Sequence, residues 1–491
     1  MTSAMELARN GLVLGLVYII GTIAYNVFLH PLRKYPGPLS HRISVLPRTY
    51  HLVRGHLPFH VAELHKRYGP AVRIAPNELV FSSPQAWRDI YGHKKAGEDE
   101  FPKYDGFYKI LGSTVPTSLI SSSREEHGLL RRQMSHGFSD RAMREQEPLI
   151  GTYVDLLISR LKDAARKNSK QDLREWYNYT TFDIIGDLSF GVDGGFGCLE
   201  NSDYHPWVRL ITRTIRQTAM IQSLPRLGLG QLLVWANQLK ILAENENNAI
   251  VYEKVAQRMQ SGERPDFLEG LLRKKEELNL SHNHLTMNAS LLIFAGSETT
   301  ATLLSGATFL LMTNPDVLRK LEQEVRSAYK SDDEITLTSV SSLSYMLACL
   351  NESLRRYPPV VTGLPRVVPK GGAMVDGRFV PQGSIVSVFQ WAVNHDENFW
   401  SVPLRFAPER WLDDPSYKGD QLDAMQPFSV GPRNCIGRNL AYAEMRLILA
   451  KLVFNFDMSL ADDSREWLKD QKAFTVWDKP TLNIHLKPIV R

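Results

Sequence analysis

Cysteine is scarce in this chain of 491 residues: there are three, Cys198, Cys349 and Cys435, and none is spaced as a C-x-x-C pair. So sparse and odd a set excludes a disulfide framework and a structural zinc site, and it points to a reducing compartment. Charge of either sign is also nearly absent in the balance. The net value of +5, with no basic stripe interleaved with aromatics, excludes a nucleic-acid partner. There is no internal repeat and no low-complexity tract. No complete G-x-G-x-x-G is present, because Gly228-Leu229-Gly230 lacks the third glycine, so the chain carries no dinucleotide fingerprint of its own. What remains is an ordinary folded composition, 43% hydrophobic and 23% charged, long enough for a large core. N-x-S/T sequons at Asn178, Asn279, Asn288 and Asn351 matter only on a lumenal chain, and no glycan is expected there.

Long hydrophobic runs number two. Gly11 to Leu29 is a stretch of 19 residues without a charge, close to the ~20 that span a bilayer. Arg33 and Lys34 follow it, and the positive-inside rule then puts the downstream chain in the cytoplasm. A cleaved signal peptide is disfavoured by the length of the run and by the lack of a small-residue cleavage site before Pro31. Tyr35-Pro36-Gly37-Pro38 cannot continue a helix and forms a stiff bend. The second run, Leu285 to Met312, holds one formal charge, Glu298, among several hydroxyls. A carboxylate in such company belongs to a site or wet cavity rather than to lipid, so this run reads as a long buried helix. The expected organisation is an anchor (1–30), a proline-rich hinge (31–40) and one mainly helical domain with a minor β-sheet (41–491). Short β-prone runs lie at 71–74 and 79–81, residues 120–360 are mostly helical, 365–395 turn β-like, 438–456 form a helix and 473–488 a terminal hairpin.

The most informative residues are Phe428-Ser429-Val430-Gly431-Pro432-Arg433-Asn434-Cys435-Ile436-Gly437, directly before a helix. A cysteine there is placed to be a thiolate metal ligand, because loop and helix-start amides stabilise the sulfur's charge. Gly431 and Gly437 permit backbone geometries that a Cβ would forbid, and Phe428 can screen the sulfur from water. Five fixed positions of this kind recur by chance in roughly one chain of this length in ten thousand. The alternative, a buried structural cysteine, is the usual state of an isolated free cysteine but does not explain the pattern.

Other constellations accompany it. Ala295-Gly296-Ser297-Glu298-Thr299-Thr300 lies in mid-helix, where Gly296 costs about 1 kcal/mol relative to Ala and so leaves room for a ligand or for a neighbouring helix. Thr299 can bond the Ala295 carbonyl or turn its hydroxyl toward that gap. Glu352-Ser353-Leu354-Arg355 puts opposite charges on one helical face before Tyr357-Pro358-Pro359, and Pro408-Glu409-Arg410-Trp411 follows. His127 and Arg131 stand at i and i+4.

Taken in order and spacing, these motifs resemble the cytochrome P450 family over nearly the whole chain, and the local style, including Asp183-Ile184-Ile185-Gly186-Asp187-Leu188-Ser189-Phe190-Gly191, looks like its fungal microsomal branch. The resemblance implies the cytochrome P450 fold and a haem-thiolate monooxygenase. Haem b would bind through Cys435, with His127 (where the family usually has tryptophan), Arg131, Arg366 and Arg433 as propionate partners, and with Phe428 and Gly437 in the binding loop. Glu298 and Thr299 would relay protons during oxygen activation. Glu352, Arg355 and Arg410 would form a structural triad without a catalytic role. By position, the substrate-pocket candidates are Phe107, Ile110, Val115, Phe294, Ala295, Val361, Thr362 and Val476, mostly apolar, which suits a lipophilic small molecule. Electrons would come from NADPH through a separate NADPH–cytochrome P450 reductase, docked near Cys435 with help from Arg132 and Arg438. O2 and a membrane complete the partners, and the place implied is the endoplasmic reticulum membrane, crossed once, with the catalytic domain facing the cytoplasm. Many members of that branch decorate terpenoids, polyketides or alkaloids. A haem-thiolate isomerase or dehydratase would need no reductant, and a haem carrier would need no proton relay; the paired Glu298 and Thr299 favour the monooxygenase.

Overall fold

A computed structural model describes residues 2–95, 97–109, 115–191, 195–238, 246–469 and 471–490. The N-terminal apolar run forms a helix, Thr2–Ala24, that widens into a π-helical turn, Tyr25–Leu29. Leu12, Leu14, Val17 and Ile20 are all more than half exposed, so this helix stands off the body. Among the described residues, Met5–Leu29 is the one helix that is long and apolar enough to cross a membrane and also stands unburied.

Its lower end is fastened. The last carbonyls of a helix lack intrahelical partners, and here guanidinium groups from the body supply them. Arg73 Nη1 donates to the Asn26 carbonyl at 3.0 Å, and Arg42 Nη2 to the Val27 carbonyl at 3.2 Å. The hinge then lies flat against a strand: the Arg73 N–H donates to the Pro36 carbonyl at 2.7 Å. A Cβ on Gly37 would come within 2.3 Å of the Arg73 oxygen, so the close approach there requires glycine.

The second apolar run is the central helix, His282–Met312. Ser281 and His284 form a reciprocal capping box at its start. From Thr300 to Leu311 every residue is buried, and the helix packs chiefly along Leu173–Phe190, itself buried over most of its length. It is therefore a core helix, as its lone carboxylate suggests. Of the sequon asparagines, Asn178 and Asn288 are buried, Asn351 is half-buried and Asn279 is exposed. Asn178 donates to Tyr204 at 2.9 Å, Asn288 accepts from the Leu119 N–H at 2.9 Å, and Asn351 accepts from Tyr442 at 2.8 Å.

The sheets are small. Ala71–Ala75 pairs antiparallel with Glu78–Phe81, which runs parallel to Ile385–Val388, which in turn pairs antiparallel with Arg366–Val367. This sheet carries Glu78 and Arg366 to the edge of the helical core. The C-terminus is not one hairpin. Lys472–Ala473 pairs with Trp477–Asp478, whereas Asn483–Pro488 joins Phe456–Leu460 and Lys170–Asp172. Pro480 explains the split, since a ring without an N–H ends one ladder and redirects the chain.

Candidate active site

The cysteine loop is held by its own backbone. The Cys435 N–H donates to the Phe428 carbonyl at 2.8 Å and the Asn434 N–H to the Gly431 carbonyl at 3.1 Å, immediately before the helix Arg438–Asn455. Gly431 has φ +77, and a Cβ there would lie 2.1 Å from the Tyr91 carbonyl oxygen. Gly431→Ala is therefore expected to cost on the order of 1–3 kcal/mol and to lower haem content, measured as the ratio of haem to protein absorbance. Gly437 behaves differently from the expectation. Its φ of −86 is open to any residue, and a Cβ would meet only Phe138 at 3.8 Å and the Cys435 sulfur at 4.0 Å. Its value is an uncrowded sulfur, not a special conformation.

Cys198 and Cys349 are buried, whereas Cys435 faces a cavity. Burial raises the Cys435 thiol, opposed by the Gly437 N–H and by the cations of Arg131 and Arg438. These same groups would stabilise a thiolate once a metal displaces the proton. Phe428 lines the cavity beside the sulfur and packs on Tyr442, ring centroids 5.4 Å apart.

The cavity lies between this loop and the central helix, which presents Ala295, Gly296, Thr299 and Thr300 to it. Thr299 Oγ1 donates to the Ala295 carbonyl at 2.6 Å. Glu298, one residue away, turns about 100° round the helix and points elsewhere. Its carboxylate is ion-paired with Lys479 from the C-terminal segment and accepts from Thr302 at 3.3 Å. The structure thus brings Thr299 to the cavity and does not bring the Glu298 carboxylate there. Gly296 is a packing notch: a Cβ would sit 2.6 Å from Ile185 Cδ1 on the neighbouring helix. The room it leaves is taken by a side chain rather than by a ligand.

One edge of the cavity is cationic. Arg131 donates to both the Asn434 carbonyl and its side-chain oxygen at 2.6 Å. Arg433 pairs with Glu100 at 2.5 Å, and Arg366, one layer behind, reaches Glu100 at 3.4 Å and the Phe101 carbonyl at 3.1 Å. Lys103 joins them; burial and the nearby Arg366 and Arg433 push its ammonium down to about 6. Burial, followed by Arg433, Lys103 and Arg131, pushes His127 down to about 4. One carboxylate, Glu100, pairs with Arg433 and Arg366 here while Arg131 stands on Asn434 beside them, and the Nε of Arg366 is buried without a hydrogen-bond partner among the described residues. The edge is thus undercompensated and suited to two further carboxylates. A sulfur on the floor, apolar faces and a cationic edge together fit haem b.

Behind the loop, the Glu352 carboxylate receives Arg355 at 2.7 and 2.9 Å, Arg410 at 3.3 Å, the Ala407 N–H at 3.0 Å and the Trp411 indole at 3.1 Å. All three charged side chains are fully buried.

Of the substrate-pocket candidates, Ala295 lines the cavity among the described residues. Phe107 and Thr362 line a smaller neighbouring pocket, Val361 and Val476 are buried core residues, Phe294 is half-buried and Val115 is exposed. Ile110 lies outside the described residues. Arg132 and Arg438 are exposed. Sequence reasoning passed over Glu100, Lys103 and Lys479, which sit in no recognisable motif; only the fold sets them against the arginines and against Glu298.

Comparison with known proteins agrees with this geometry. The family model described as Cytochrome P450 matches residues 36–486. Cytochrome P450 monooxygenase tpeC of Talaromyces stipitatus is 48% identical over 96% of this chain and 93% of its own length. The trichothecene C-15 hydroxylase of Fusarium sporotrichioides is 44% identical over 96% of each chain. The averantin hydroxylase of Dothistroma septosporum is 42% identical over 96% of this chain and 90% of its own. With the cysteine-bearing loop, the apolar cavity and the cationic edge all in place, the chain belongs to the cytochrome P450 family and is a haem-thiolate monooxygenase.

Proposed function

We propose that this enzyme inserts one oxygen atom of O2 into a lipophilic terpenoid, polyketide or alkaloid intermediate of secondary metabolism, with electrons passed from NADPH by a separate reductase. The observation that carries the reading is the Cys435 sulfur facing a largely apolar cavity beneath the turn bearing Thr299. When bound, haem supplies oxygen activation and the oxidation of a C–H bond. Cys435 would ligate its iron, and Arg131, Arg433, Lys103 and His127, with Arg366 behind them, would hold its carboxylates. The apolar walls would orient the substrate and exclude water. Two of the relatives are named as hydroxylases, which supports insertion of oxygen over isomerisation.

Thr299 would hold and pass a proton at its hydroxyl, and Glu298 would act from behind that turn through its pair with Lys479. Thr299→Ala is expected to keep haem and to lower coupled product formation by on the order of 100-fold, with reducing equivalents appearing as peroxide. Product, NADPH consumption and peroxide measured together in a reconstituted system check this. Coupled turnover at the parent rate would remove the assignment.

The N-terminal helix would anchor residues 41–491 to the endoplasmic reticulum membrane, with the catalytic domain in the cytoplasm. Leu39, Leu46, Tyr50 and Phe379 are more than half exposed, and the Phe379 carbonyl accepts the hinge Tyr35 hydroxyl at 2.9 Å. Apolar exposure of this kind beside the hinge suits a membrane surface. Arg132 and Arg438 would receive an acidic face of the reductase. The deciding experiment compares lipophilic metabolites of the source organism with and without the gene by mass spectrometry. An accumulated precursor lighter than the lost product by one oxygen supports the reading. One of equal mass, or heavier by water, overturns it in favour of an isomerase or dehydratase.

A further inference from the structure

Beside the haem cavity lies a second, smaller pocket lined by Arg48, Glu78, Phe107, Arg226, Thr362 and Phe389. The two share walls. Thr362, Gly363 and Pro365 face the small pocket, while Pro359, Val360 and Leu364 of the same segment face the haem cavity; Phe389 and Gln390 divide in the same way. The small pocket sits on the side of the body next to the hinge, since Glu78 is on the strand that pairs with Ala71–Ala75, against which the hinge lies.

Its polar groups do not balance. Arg48 Nε lies 2.8 Å from Glu78 Oε2, and Arg226 Nε lies 3.1 Å from the same oxygen. The side chains are 6%, 4% and 3% exposed for Arg48, Arg226 and Glu78. Two buried guanidinium groups thus converge on one carboxylate oxygen. Arg48 Nη1, Arg226 Nη2 and the Thr362 hydroxyl are buried there without a hydrogen-bond partner among the described residues. The Tyr104 ring lies 4.6 Å from the Arg226 guanidinium and gives it a face, not an acceptor. Burial and the neighbouring Arg226 push Arg48 down to about 10, which is still charged at neutral pH. A buried, unpaired charge is costly unless something answers it.

From this we propose that Arg48 and Arg226 form an anion subsite that binds the carboxylate of a lipophilic acid whose apolar body extends across the shared wall into the haem cavity. The inference rests on the monooxygenase reading and narrows its substrate to a molecule that carries an acidic group distant from the oxidised carbon. Glu78 sets the two guanidinium groups side by side and occupies one face of each, leaving the outer N–H groups for the ligand. A carboxylate forms charge-assisted bonds with such a pair, and an ester of the same body cannot. The difference is therefore in binding, before any chemistry.

The test uses the full-length, haem-loaded protein in zwitterionic detergent and a panel of lipophilic carboxylic acids, each beside its methyl ester. Affinity is read both from the change in haem absorbance and by calorimetry. The acids are expected to bind at least about tenfold tighter than their esters, the equivalent of one charge-assisted pair. Arg226→Met and Arg48→Met are each expected to shrink that preference below about threefold, through loss of acid affinity. Equal binding of acids and esters by the parent protein, a preference that survives both variants, or no acid bound at all would each overturn the proposal. Folding is controlled by the haem-to-protein ratio, and the milder Arg226→Lys, which keeps the charge but loses the fork, is expected to retain part of the preference. A parent protein that takes up no haem fails before any acid is added, and that result tells against the monooxygenase reading itself.

Discussion

Cys435→Ser is expected to fold and to form no product. The side chain lies at the loop's open face, so the exchange removes no core contact, and the Cys435 N–H to Phe428 carbonyl bond is independent of the side chain. What is lost is the sulfur. A serine hydroxyl remains protonated where a thiol can ionise, and it donates far less electron density to iron. Removing a group that merely orients a metal ligand typically costs 10- to 100-fold, so loss of the ligand itself should exceed about 100-fold in turnover. The measurements are haem absorbance per protein, circular dichroism and product formation. Native-like dichroism with altered or absent haem absorbance and no product is the expected result. Cys198→Ser and Cys349→Ser provide the contrast, because both sulfurs are buried and neither residue lines the cavity. These two should lower stability and leave turnover per haem unchanged. Turnover by Cys435→Ser within tenfold of the parent would remove the ligand assignment.

The cysteine loop was legible because its requirements are local. A positive φ at residue 431, a sulfur before a helix start and an aromatic neighbour all leave marks within ten residues. The central helix was legible for a similar reason, since a lone carboxylate in a long apolar run excludes lipid. Gly296 was not resolvable, because a missing Cβ reads the same whether the space belongs to a ligand or to Ile185. The orientation of Glu298 depended on Lys479, far away in sequence and free of any pattern. The cationic edge shows the same limit: Arg131 and Arg433 fall in recognisable segments, whereas Lys103 and Glu100 reach the site through a loop of ordinary composition. The C-terminal strands were seen, but Pro480 decided which sheet each one joins. The substrate walls were the least legible, because apolar residues at the cavity and in the core obey the same pattern. Among the seven candidates that are described, only Ala295 stands at the cavity.

Glu352→Gln is expected to produce the largest loss of stability with little change in chemistry per haem. The carboxylate accepts from Arg355, Arg410, the Ala407 N–H and the Trp411 indole, and the two arginines and Glu352 are fully buried. The amide keeps the volume but removes the charge, and its NH2 turns a donor toward donors. Arg410 retains Asp420, and Arg355 retains the carbonyls of Asn394, Pro403 and Arg405. Those contacts hydrate the guanidinium groups in effect but do not neutralise Arg355. Breaking a buried pair in this way costs about 3–5 kcal/mol, well above the ~1 kcal/mol of an exposed i,i+3 pair. The network ties the helix Ser344–Arg356 to residues 394–411, and that helix also packs on the helix that follows Cys435. Loosening it should therefore shorten haem retention. Denaturant unfolding followed by haem absorbance should show an earlier transition, and Glu352→Asp should fall between the variant and the parent because the charge stays while the reach shortens. Product per bound haem should remain near the parent value. If instead stability held and turnover per haem collapsed, Glu352 would belong to the reacting site, and the supporting role assigned to the triad would be wrong.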